Sequence, residues 1–276
     1  MTKKEGFHLN KNRKINIISN KNFKSRKTSM QLIEKLSQRG FAVSQKYDNK
    51  AELNITVGGD GAFLRAIHRN KFPEIPFIGI NTGNLGFFQE ILPANIDDFI
   101  NKYIQEDYKT EEMSLISSKI YTHNKTYHLT SVNEIAVKGE KSKVIHLDLF
   151  IDGNHLEKFS GDGIIISTPA GSTAYNFSAG GSIVYPSLET LQITPLSPIN
   201  SEAYRSLPNS AVIPGDLIIR IKPEKRYSNY SLIVNDGVEF KYNNIKYIDF
   251  KISNKKIYKL NFDKNMYWNN LKSKFL

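Results

Sequence analysis

A chain of 276 residues fits one large domain or two ordinary ones. Hydrophobic residues at 39% and charged residues at 24% suit a folded globular protein and argue against disorder, while the absence of cysteine excludes disulfides, thiolate nucleophiles and cysteine-based zinc sites. The formal net charge of +11 concentrates in Lys3 to Lys27 and Lys255 to Lys274, runs that read as solvated faces or tails, so no nucleic-acid partner is expected.

In chain order, residues 1–14 read as a basic extension. No apolar core follows it, so it is not a secretory signal. No stretch approaches the roughly 18 apolar residues that span a membrane, and a cytoplasmic protein with no membrane partner is expected. Ile15, Ile17 and Ile18 predict a strand. Thr28 or Ser29 then caps a helix to about Arg39, with Leu32, Ile33 and Leu36 on one face and Gly40 as its stop. Phe41 to Gln45 and Leu53 to Val57 are the next strands. The latter runs into Gly58-Gly59-Asp60-Gly61 and a helix with Phe63, Leu64 and Ile67 on its apolar side. A strand at Phe77 to Ile80 opens into the loop from Asn81 to Phe87, and a helix covers about Asn95 to Gln105. Strands alternating with helices predict a parallel, Rossmann-like α/β sheet, with ligands at the carboxyl ends of its strands.

The pattern changes near Met113. Ile145, Leu147, Leu149 and Ile151 alternate with His146, Asp148 and Phe150, a period of two that predicts a strand, and Asp152-Gly153 supplies a hairpin turn. Ile164 to Ile166 is a short buried strand. Further strands are expected at Leu217 to Ile221, Ser231 to Val234, Val238 to Tyr242 and Tyr247 to Ile252, with Asp236-Gly237 as another turn. This half reads as a mainly β sandwich. Met266 to Leu276 reads as a short amphipathic helix packing back on the body.

Three stretches carry candidate chemistry. Three glycines around Asp60, between a strand and a helix, form a loop that can lie flat against phosphates, because helix N-termini attract anions. A carboxylate there holds a metal, takes a proton from a hydroxyl nucleophile, or caps the helix. In Gly161 to Gly181, a buried strand opens into small, hydroxyl-bearing residues that either face a polar ligand or cap their own backbone. Asn133-Glu134 interrupts a strand; an Asn amide can read an adenine edge and a carboxylate can clasp a ribose diol, and the pair is equally at home in a surface turn. Asp162, between two glycines, is either a turn residue or a ligand contact. No Walker loop, Rossmann fingerprint, GxSxG elbow or paired-histidine spacing occurs, and no dedicated metal ligands are expected.

GGDG at 58–61, GINTGNLGF at 79–87, NE at 133–134 and DGIIISTPAGSTAYNFSAGG at 162–181, in this order, resemble the signatures of the ATP-dependent NAD kinase family. The long last motif is specific, whereas lipid kinases and phosphofructokinases carry relatives of GGDG. The resemblance implies an α/β domain over 1–112, a mainly β NAD-binding domain over 113–254 and a segment over 255–276 that packs back. It implies transfer of the γ-phosphoryl of ATP, or of polyphosphate, to the 2′-hydroxyl of the adenosine ribose of NAD. Asp60 is then the general base, with Gly61 beside the substrate and Phe87 lining the pocket. Asn133 and Glu134 hold the adenosine, Thr173, Ala174, Tyr175 and Ser178 bracket adenine and ribose, and Asp162 contacts the nicotinamide half. The resemblance further implies Mg²⁺ carried on ATP and a homodimer or homotetramer with shared sites, to which Ser197 and Tyr204 contribute from the neighbouring copy. Three positions depart from the pattern: Ala62 stands where Thr is common, Ser160 where Arg often precedes GDG, and Val238 where Gln follows a late DG. A lipid kinase sharing GGDG and a non-catalytic dinucleotide-binding protein are the alternatives.

Overall fold

The computed structural model describes residues 13–83, 86–202 and 205–276. The chain divides into two compact units, one of Met1–Glu112 with Ile257–Leu276 and one of Met113–Lys256. In the first, β1 (Lys14–Ser19) leads to helix α1 (Phe23–Gln38), β2 (Ala42–Ser44), β3 (Leu53–Gly58), helix α2 (Asp60–Arg69), β4 (Phe77–Asn81) and helix α3 (Ile96–Ile104). The strands lie in the order β2-β1-β3-β4, and every pairing is parallel. All residues of β3 and β4 are buried, the mark of parallel strands covered on both faces. Leu32 and Leu36 of α1 and Phe99 and Ile100 of α3 join Ile55, Val57 and Ile80 in one core.

Helix α1 starts earlier than its hydroxyls suggest. Asn22 is the cap, its side-chain oxygen accepting from the Ser25 N–H at 2.7 Å, and Thr28 and Ser29 are buried inside the helix. Asn is as good a cap as Ser or Thr, so composition alone does not choose among them. The helix ends as expected. Gly40 takes the left-handed conformation (φ +85°), and the Phe41 N–H returns to the Leu36 carbonyl at 3.1 Å.

The second unit is antiparallel. Its elements are β5 (Lys109–Thr122), β6 (Thr126–Ser131), β7 (Glu134–Gly139), β8 (Ile145–Ile151), β9 (Asn154–Gly161), β10 (Gly163–Ser167), a one-turn helix α4 (Tyr175–Ser178), β11 (Thr190–Leu196), β12 (Ala211–Pro214), β13 (Ile219–Pro223), β14 (Ser231–Asn235), β15 (Val238–Lys241) and β16 (Ile245–Asn261). One sheet runs β12-β11-β10-β7-β14-β15; the other sets β16, β13, β8 and β9 side by side, with β5 paired to β16 and β6. Ile135, Val137, Ile164 and Ile233 of the first sheet pack with Leu147, Leu149, Ile219, Ile248 and Phe250 of the second. The result is the expected sandwich. Asp152-Gly153 joins β8 to β9 and Asp236-Gly237 joins β14 to β15, with both residues of each pair at positive φ.

The end of β16 belongs to the first unit, where Lys259 pairs in parallel with Phe77 of β4. There the Lys259 ammonium forms a buried ion pair with Glu90. The chain ends in helix α5 (Met266–Phe275), also in the first unit. Among the described residues no helix is long and apolar enough to cross a membrane.

Candidate active site

The Asp60 carboxylate does not cap its own helix. Gly59 is the N-cap of α2 and no side chain bonds there. Instead one Asp60 oxygen (Oδ2) accepts from the Phe87 N–H at 2.8 Å and the other (Oδ1) from the Phe88 N–H at 3.0 Å. The loop after β4 is fixed around these bonds. The Phe88 ring is buried and stacks on Phe63 of α2 at 4.9 Å. The Gln89 amide donates to the Gly59 carbonyl at 3.1 Å. A Cβ on Gly86 would stand 2.1 Å from Asp60 Oδ1, so only glycine lets the loop come this close. A carboxylate has about four acceptor sites, and two N–H groups fill two of them. Asp60 is half-buried and Gly61 exposed at the start of α2, where backbone N–H groups favour an anion. The half-buried Phe87 ring packs against α5, 5.8 Å from Phe275 and 6.1 Å from Tyr267.

In the second unit, Asn133-Glu134 forms the junction of β6 and β7, and Asp236 builds it. The Asp236 carboxylate accepts from the Ser131 hydroxyl at 2.6 Å, the Val132 and Asn133 N–H groups at 2.8 Å and the Glu134 N–H at 3.1 Å. The Pro169 turn is sewn to the same junction. The Thr168 N–H donates to the Asn133 carbonyl at 2.8 Å, and its hydroxyl donates to the Val132 carbonyl at 2.7 Å while accepting from the Gly171 N–H at 3.0 Å. Against this frame, Asn133 Oδ1 and Glu134 Oε2 are buried with no hydrogen-bond partner among the described residues. Buried polar atoms are nearly always partnered, so two orphans on adjacent residues make this junction a candidate ligand contact. Burial, then the negative charge of Asp236, pushes the Glu134 carboxyl up to about 8, against a pull in the other direction from the Tyr175 backbone N–H.

Three hydroxyls of the long motif are spent on its own backbone. Ser172 donates to the Pro169 carbonyl at 2.7 Å, Ser167 to the Thr168 carbonyl at 3.0 Å and Thr173 to the Ala170 carbonyl at 3.4 Å. Helix α4 is locked from below by the buried Asn176, which donates to Gln192 at 2.9 Å and accepts from Thr194 at 2.6 Å. Ala174 is half-buried, and Tyr175 and Ser178 are exposed on this helix.

Asp162 and Ser197 lie elsewhere. In the register of β10, Ser167 faces Glu134 at one end and Gly163 faces Lys138 and Leu196 at the other. Asp162 and Ser197, both exposed, continue from that far end, roughly 13 Å from the Glu134 end at 3.3 Å per residue. Tyr204 lies outside the described residues. Ser160, at the position of the missing Arg, is wholly buried and bonded to His146 Nδ1 at 2.6 Å.

Sequence reasoning missed the roles of Asp236, Asn176 and Thr168 and the contact of the C-terminal helix with Phe87, although it expected the helix itself. Asp236 was legible only as a turn residue, because the four donors it collects lie about a hundred positions upstream.

Both parts of the chain match one family. Residues 2–108 match the ATP-NAD kinase N-terminal domain and residues 132–261 the ATP-NAD kinase C-terminal domain. The NAD kinase of Finegoldia magna is 50% identical over 273 residues, covering 97% of this chain and 100% of the relative. The NAD kinase of Staphylococcus carnosus is 34% identical, covering 82% and 84%. Two solved structures share the fold. Yeast NADH kinase complexed with NADH has a TM-score of 0.79 at 21% identity, covering 95% of this chain and 87% of that one. An NAD kinase from Archaeoglobus fulgidus in complex with ATP has a TM-score of 0.74 at 22% identity, covering 95% and 99%. The fold and the matches define a two-domain nucleotide kinase. The chain belongs to the ATP-NAD kinase family.

Proposed function

We propose that the chain transfers the γ-phosphoryl of ATP to the 2′-hydroxyl of the adenosine ribose of NAD, making NADP. Asp60 is the general base. The observation that carries this is its carboxylate at the start of α2, held at both oxygens by backbone N–H groups and, among the described residues, with acceptor sites to spare. Phosphoryl transfer asks the protein mainly for positioning and charge stabilisation. Asp60 takes the hydroxyl proton as the new P–O bond forms, and the N-terminus of α2, with Gly61, favours the phosphates. Mg²⁺ enters on ATP as part of the substrate. Inorganic polyphosphate is the alternative donor.

Asn133 and Glu134 hold the adenosine, an assignment supported by their buried, unpartnered Oδ1 and Oε2. Thr173, Ala174, Tyr175 and Ser178 bracket it, and Phe87 lines the pocket. Asp162, exposed beyond the far end of β10, contacts the nicotinamide half, and, as the family resemblance implies, Ser197 and Tyr204 complete the site from a neighbouring copy in a homodimer or homotetramer. We place the activity in the cytoplasm, in keeping with the lack of cysteine.

The test is Asp60→Asn. NADP formation, read with a strictly NADP-dependent dehydrogenase, falls by about 10²–10⁴-fold while calorimetry still shows NAD binding. Equal loss of turnover and binding refutes the base assignment.

A further inference from the structure

The two N–H groups that orient Asp60 are fixed by different means. Phe88 is fixed from within α2, its buried ring stacked on Phe63 with the planes 6° apart. Phe87 is fixed from the far end of the sequence. Its ring lies against Phe275 at 5.8 Å and 30° and against Tyr267 at 6.1 Å and 50°, and the Lys274 ammonium stands 4.8 Å from its centroid. Positions 267, 274 and 275 follow an i, i+7, i+8 spacing, so all three lie on one face of α5. That same ammonium lies 5.8 Å from the Phe275 ring, tying the face together. A ten-residue helix is marginal alone, so this aromatic face has work to do in docking it.

We propose that α5 is a positioning element for the general base: by gripping the Phe87 ring it fixes the N–H that holds Asp60 Oδ2, so that the carboxylate presents its remaining acceptor sites to the nucleophilic hydroxyl. This rests on the reading of Asp60 as the base. Without the grip, Oδ1 stays tied to Phe88 while Oδ2 loses its fixed partner, and the carboxylate turns about its own bond. Misplacement by about 1 Å is enough to cost as much as 10²-fold in rate. Phe275, Lys274 and Tyr267 touch no reacting atom in this scheme; they act through Phe87.

The test uses the full chain with Phe275→Ala, Phe275→Tyr, Lys274→Met, Asp60→Asn and the Phe275→Ala/Asp60→Asn double variant. Phe275→Ala is expected to lower kcat about ten-fold, to leave KM for NAD and ATP within about two-fold, and to move the acidic limb of the kcat–pH profile. Phe275→Tyr, which keeps the ring, retains the parental kcat and pH profile. In the Asp60→Asn background Phe275→Ala has no further effect on kcat, because both act through one group. A rise in KM with kcat intact makes α5 a pocket wall and overturns the proposal. So does a kcat loss that only tracks the unfolded fraction, or an additive double variant. If Phe275→Ala does not fold, Lys274→Met decides: a smaller shift of the same limb supports the proposal, and an unmoved profile overturns it. Substantial turnover by Asp60→Asn refutes the base reading itself. A dead Asp60→Asn beside a fully active Phe275→Ala leaves that reading standing and removes only the role of α5.

Discussion

Glu134 carries a measurable stability penalty in the absence of ligand. Its carboxyl ionises near its ordinary 4.5 in the unfolded chain and is pushed up to about 8 in the fold, by burial first and then by Asp236. Below about pH 4.5 both states keep the proton and the penalty is nil. Above that the unfolded chain gives up the proton while the fold retains it, so stability falls as pH rises and levels off past about 8. About 3.5 pH units separate the two states, and at about 1.4 kcal/mol each the full penalty is about 5 kcal/mol. By linkage about 2 kcal/mol of it is present at pH 6 and about 3 kcal/mol more appears by pH 9. Glu134→Gln puts a neutral amide of the same shape in place and escapes this dependence. The stability of the variant relative to the parent therefore rises by about 3 kcal/mol between pH 6 and pH 9, or about 6–12 °C in thermal midpoint. Thermal unfolding of both proteins at pH 6, 7.5 and 9 without nucleotide measures it. Parallel midpoints across that range refute the argument, and would mean that Glu134 is already ionised in the fold or reaches water.

The remaining predictions concern the two carboxylate-built junctions. Asp236→Ala strips the acceptor from three backbone N–H groups and a hydroxyl; at about 1–3 kcal/mol for each orphaned donor it destabilises by at least about 3 kcal/mol. It also returns Glu134 toward the ordinary carboxylate range, which a pH series of thermal midpoints detects. Gly86→Ala places a methyl where Asp60 Oδ1 now lies, 2.1 Å from the ideal Cβ. Steady-state kinetics are expected to show a kcat loss of about 10²-fold with NAD affinity retained, since Asn133 and Glu134 are untouched; parental kcat would show that the pose of Asp60 is immaterial.

The fold class was legible because several of its strands announce their periods, although β5, β6, β11 and β12 were not read. The buried runs at Leu53 to Val57 and Phe77 to Ile80 gave the parallel sheet, and the alternation at Ile145 to Ile151 gave the sandwich. The last strand was read too short. It runs on through Ser253, Asn254, Lys255 and Lys256, a polar stretch that hides its period, before Ile257 and Leu260 are buried again. Within the site, GGDG and the 162–181 motif could be located, but the hydroxyls of the second could not be assigned. Ser172 and Thr168 serve backbone groups that only the folded turn brings within reach. Helix α5 showed its amphipathic face in the sequence, yet nothing there links Phe275 to Phe87 across 188 positions.

Asp60 and Asp236 use one device to different ends. Each carboxylate gathers consecutive backbone N–H groups from a distant turn and so fixes a junction that no regular ladder could hold. Asp236 takes four donors, enough to fill the acceptor capacity of a carboxylate, three on Oδ1 and one on Oδ2. A group filled in this way is a fastener. Among the described residues Asp60 takes two, one on each oxygen, and keeps capacity on both. The same interaction that locks one junction therefore leaves the other oriented but open, which is what a base that must accept a proton from a bound hydroxyl requires. The sequence reads Asp60 as a candidate base and Asp236 as a turn residue; the donors that Asp236 collects give it a structural role that the sequence did not show.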